Sequence, residues 1–103
     1  MDPLEAEFEQ RLRDSIQESV AMSYNPTRFT EMLNTLGGLE TARRLVASGD
    51  LQDGILRIVA MGHAELAMES IMLEPRFATL FTQGQLDAAR WRLEQAREEA
   101  HTC

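Results

Sequence analysis

Apolar residues fall at helical spacing along nearly the whole chain. Leu4, Phe8, Leu12, Ile16 and Val20 recur every four residues, after an Asp2-Pro3 start with Glu5 as the capping-box acid. The pattern predicts a helix over about 3–22. A strict spacing of four drifts by about 40° per step, so this stripe winds and should meet more than one neighbour.

Asn25-Pro26 repeats the start signal, and Phe29, Met32, Leu33 and Leu36 follow at i, i+3, i+4, i+7 as one apolar face ending at Gly37-Gly38. Leu39, Ala42, Leu45 and Val46 predict a short third helix stopping at Ser48-Gly49. Asp50 is the expected cap of a fourth, in which Leu51, Ile55, Ile58 and Val59 share a face and Gly62 is the stop.

Residues 65–73, ELAMESIML, are apolar nearly all round apart from Glu65, Glu69 and Ser70, which predicts a central helix. Pro75 breaks it, RFATLF reads as a short helical turn, and Thr82 with Gln85 forms a capping box for a last helix striped by Leu86, Ala89, Leu93, Ala96 and Ala100. β-branched alternation is lacking and the connections are short. The expected fold is an all-α, compact bundle of five to six short helices in one domain over 1–103. Its parts would be an N-terminal helix, a module over about 23–98, and a frayed end over about 99–103.

Composition narrows the chemistry. The 103 residues carry a net charge of −7, with six acids and two arginines in 1–27, four of each in 28–62, and seven acids and four arginines in 63–103. That balance disfavours polyanionic partners and suits a basic one. The acidic, interrupted start is unlike a secretory leader, and no apolar run approaches a membrane span. A single cysteine, Cys103, excludes an intrachain disulfide and fits a reducing cytoplasm. All ten basic residues are arginine, which fits a GC-rich genome.

Candidate sites are few. His63, Glu65 and Glu69 are the one tight ligand-type cluster; with no second His or Cys group converging, they read as a helix start with an acidic face, and no metal or cofactor is expected. His101 and Cys103 lie at the terminus, and Gly37-Gly38 lacks the lysine and strand of a phosphate loop. The hairpin of the third and fourth helices has helix-turn-helix size, with Arg43, Arg44 and Arg57, yet its second helix also carries Asp53. Glu69, among Met68, Ile71 and Met72, is expected to be buried in a polar network with Tyr24, Arg44 or Arg76; its other reading is a general base of a small hydrolase. Trp91 lies about 160° from Leu93 on a helical wheel. It either packs on the N-terminal helix or stands exposed as a partner anchor beside Ala88 and Gln95. The six methionines read as core filler.

The succession SYNPTRFTEML, GGLETARRLVAS, MGHAELAMESIMLEPRF and LFTQGQLDAARWRL resembles a small helical module of bacterial proteins of unknown function. Its pattern is Tyr-x-x-x-x-Phe, Gly-Gly-x-x-x-Ala-Arg-Arg-Leu, a Gly-Arg-Leu-Asp-Leu-Thr-Val-Glu run, Leu-Phe-Thr, and Ala-Arg-x-Arg-Leu. Gly62, Leu66 and Glu69 match that run. His63, Ala64, Glu65, Ala67 and Met68 depart from it, and Val59 stands where the module often has tryptophan. The resemblance implies an accessory unit, found alone or attached to other domains, with no catalytic residues to carry over.

The expectation from the whole is a soluble, cytoplasmic, non-catalytic protein–protein interaction or regulatory module, self-associating or binding a partner through its terminal helices. No membrane or small-molecule partner is evident. The alternative is a nucleic-acid-related regulator or an acidic DNA mimic.

Overall fold

The computed structural model describes residues 2–48 and 53–101. Among them the chain forms seven α-helices and no strand: α1 Pro3–Ala21, α2 Thr27–Leu36, α3 Gly38–Ala47, α4 Asp53–Ala60, α5 Met68–Met72, α6 Pro75–Ala78 and α7 Gln83–His101, with a 3-10 turn over Ala64–Leu66. The seventh is the four-residue helix at Pro75–Ala78, which the sequence reads as a short helical turn, so the fold is the expected all-α bundle. No described helix is long and apolar enough to cross a membrane.

Helix ends follow local chemistry. Asp2 Oδ1 accepts from the Leu4 N–H and Pro3 opens α1. Thr82 Oγ1 accepts from the Gln85 N–H while Gln85 Oε1 accepts from the Thr82 N–H, a reciprocal box that starts α7. Gly62, at φ +83, closes α4 as His63 N–H donates to the Ile58 carbonyl and Gly62 N–H to that of Val59. The expected Asn25 start falls one residue later, with Pro26 at the cap position and no side-chain cap. The expected Asp50 cap, Leu51 and Cys103 lie outside the described residues.

Two expectations about faces change. Val20 is 49% exposed, and the buried side of α1 runs through Phe8, Leu12, Ser15 and Ser19. The spacing 8, 12, 15, 19 follows the 3.6-residue period that a strict four-residue stripe leaves behind. The central segment is no single helix: Ala67 is extended, at ψ 143, between the 3-10 turn and α5. Ser70 Oγ donates to the Ala64 carbonyl across this break. The segment is central all the same, with Leu66, Ala67, Met68, Glu69, Ile71 and Met72 buried.

The core has two apolar clusters that share α7. Leu86 and Ala89 join Phe8, Leu12, Ile71, Met72 and Phe77 in the first, where Phe8 meets Phe77 and Phe81 edge to face at 5.4 and 5.3 Å. Leu93 and Ala96 join Ile55, Ile58, Val59 and Leu66 in the second. At the α1–α3 crossing Glu9 Oε1 accepts from the Gly38 N–H at 2.9 Å, supplying the cap that α3 lacks locally. A Cβ at Gly38 would lie 3.0 Å from Glu9 Cα, so a larger residue would have to push the α1 backbone back by a few tenths of an ångström.

Candidate functional site

Arg92 lies on α7 between the residues that serve the two clusters, one position from the alanine stripe. Its Nε–H donates to Glu69 Oε2 at 2.7 Å, with side chains 2% and 4% exposed, and Nη1 donates to the Ser48 carbonyl at 3.3 Å. α5 supplies the carboxylate and α7 the guanidinium, so the pair ties the central segment to the last helix and to the end of α3. Such a charge-assisted bond is strong because both groups have left water and each would be costly alone.

Glu69 is therefore buried and paired, as expected, but two of its expected partners are corrected. Arg44 is on the surface, bonded to Glu40 one turn back on α3, and Arg76 is on the surface against Glu7. Four-residue spacing serves the first better than a reach into the core. Tyr24 is half-buried; its ring lies 5.2 Å from the Arg57 guanidinium carbon and its hydroxyl beside Gly54.

Pair and tyrosine face one cavity of about 700 Å³ among α1, α2, α3, α4 and the central segment. Its wall includes Ser15, Ser19, Tyr24, Glu69 and Arg92 with apolar Ile16, Phe29, Met32, Leu45, Ile55 and Ile58. The serines matter to its existence. Both are buried on the inner face of α1 and turn their hydroxyls back onto helix carbonyls, Ser15 to Leu12 and Ser19 to Ser15, so small side chains stand where large ones would fill the space.

Trp91, next to Arg92, is 47% exposed. Ala88 and Gln95, three before and four after, are half-buried beside it on the same face. α7 packs chiefly on α3, α4 and α5, which leaves Trp91 outward, while Ala88 packs against the edge of the first apolar cluster.

The nucleic-acid candidates are already engaged: Arg43 with the Leu80 carbonyl at 3.4 Å, Arg44 with Glu40, and Arg57 over Tyr24. His63 Nδ1 and Glu65 Oε1 are 3.0 Å apart, and this contact holds the Glu65 carboxyl below its usual range, helped by its own backbone N–H. Glu69 is turned inward to Arg92, so these three residues form no common ligand set; among the described residues no group of three His, Cys, Asp or Glu converges on a metal position.

Arg92 is the residue that the sequence reading missed. Its signal was faint: it sits about 60° from Ala89 and about 40° from Ala96, at the stripe's edge, where an arginine ordinarily reaches solvent. Protein-family models, curated proteins and solved structures give no match to the chain.

Proposed function

We propose that this chain is a non-catalytic interaction module whose docking surface is the outer face of α7 and whose occupant is a second copy of the chain. The observation that carries it is the exposure of Trp91 between the half-buried Ala88 and Gln95. A tryptophan flanked by a small residue and an amide offers a large flat contact at low conformational cost, which is why tryptophan dominates interface energetics.

Charges around the face support a self-complementary contact. Asp87 and Arg90 precede Trp91, and Glu94, Arg97 and Glu98 follow it, so both signs lie on each side with acids in excess by one. An antiparallel copy related by a two-fold axis at Trp91 meets mixed charge, which softens the repulsion expected from a net −7.

Glu69 supports the non-catalytic reading. Its Oε2 is occupied by Arg92, and the pair links α5 to α7, which is a structural use of the carboxylate. The resemblance to an accessory helical module points the same way. Size-exclusion chromatography with light scattering, run from micromolar to millimolar protein, tests the proposal. The mass should rise from one protomer toward two, and Trp91→Ala should hold it at one; a wild-type mass that stays at one protomer throughout would sink it.

A further inference from the structure

The cavity above the Glu69–Arg92 pair has features that the interaction reading does not use. At about 700 Å³ it falls within the range of small-molecule sites, and its wall combines an aliphatic and aromatic part with polar side chains. The cavity is open to solvent on the side of the exposed Arg28, so its natural content is water or a guest.

Charge indicates which guest. Among the described residues the ionisable lining side chains other than Tyr24 are Arg28, Glu69 and Arg92, two cations against one anion, in a chain whose net charge is −7. Glu69 and Arg92 neutralise each other at 2.7 Å. The charge in excess is that of Arg28, exposed in the first turn of α2. Among the described residues Arg28, Arg43, Arg57 and Arg97 enter no ion pair, and of these four Arg28 is the one that lines the cavity. The same first turn carries no acidic residue and no side-chain cap, so its field adds to that of the guanidinium. Phe29 and Met32, on the same helix, continue the wall inward as apolar surface.

We propose that the cavity binds a small monocarboxylate with an apolar body: the carboxylate at Arg28 at the mouth, the body against Ile16, Phe29, Met32, Leu45, Ile55 and Ile58. Arg28 supplies a planar pair of donors suited to a carboxylate, and the apolar wall supplies most of the affinity. The buried Glu69–Arg92 pair closes the far side, where a second charge on the ligand would have to be desolvated; this restricts the guest to one charged end. The inference stands on the cavity and is independent of the Trp91 face.

The test is an NMR titration of the full chain with methyl-labelled methionine. Met32 and Met68 line the cavity, and Met61 lies outside it. Octanoate, octylamine and octanol are the probes. Octanoate should shift the Met32 and Met68 signals saturably and leave Met61 in place, with the other two binding at least about tenfold more weakly. Arg28→Gln changes an exposed side chain and keeps the fold; it should weaken octanoate about fivefold or more. Ser19→Leu, which fills the cavity from α1, should abolish the shifts while the methionine spectrum stays dispersed. Overturning results are three: no saturable shift at Met32 or Met68, equal binding of the three probes, or octanoate binding unchanged in Arg28→Gln.

Discussion

Arg92 and Glu69, 23 residues apart in sequence, meet through a 2.7 Å bond with both side chains out of water. Their contact joins the last helix to the central segment, where the two apolar clusters adjoin. Removing one charge leaves the other buried without its counter-charge, so Glu69→Leu or Arg92→Met should each destabilise by about 3–5 kcal/mol in urea denaturation. The double variant Glu69→Leu with Arg92→Met should recover most of that loss. Independent, additive losses would show that the pair is not a unit.

Thr41 is wholly buried and its hydroxyl has no partner among the described residues. Thr41→Val keeps the shape and removes an unsatisfied polar atom, so it should stabilise the fold by about 1 kcal/mol. A lower urea midpoint for the valine variant would mean that the hydroxyl is satisfied in solution.

Gly38 marks the α1–α3 crossing, where an added Cβ would lie 3.0 Å from the Glu9 backbone. Alanine is the better helix former by about 1 kcal/mol, yet backbone cannot yield cheaply. Gly38→Ala should therefore lower stability by about 1–3 kcal/mol and weaken protection of the α3 amides in hydrogen exchange. A neutral or stabilising outcome would show that the two helices can separate at no cost.

Glu65 titrates below its usual 4.5, first because of the hydrogen bond with His63, then because of its own backbone N–H. A depressed folded-state value contributes stability that is present above the unfolded-state pKa and is lost as pH falls through the lower, folded-state one. NMR titration of the Glu65 side chain should show a midpoint below 4.5 that moves up in His63→Ala. A midpoint that does not move would assign the shift to the backbone alone.

Much of the architecture was legible because its signals are local. Asp2-Pro3, Gly62 and the Thr82–Gln85 box each act within one turn of chain, and each ends or starts a helix as read. The misreadings came from tertiary placement. Ser15 and Ser19 face inward and Val20 outward because the inner face of α1 follows the 3.6-residue period, which hydrophobicity alone misassigned. Ala67 breaks the central segment because a run apolar on every side carries no period to show where helix gives way. Of the site, Glu69's burial was legible from its neighbours. Its partner was hardly legible, since Arg92 sits only at the edge of the apolar stripe, where an arginine ordinarily reaches solvent as Arg90 and Arg97 do.

Trp91 is the chain's single tryptophan, so its fluorescence reports directly on the face proposed to bind a second copy. The most direct measurement is its emission maximum as protein concentration rises from micromolar to millimolar. The account expects a progressive blue shift as the indole leaves water, in step with the doubling of mass, and no such shift when Gln95→Glu sets like charges across the contact. An emission maximum constant over the whole range, at the wavelength of a water-exposed indole, would contradict it.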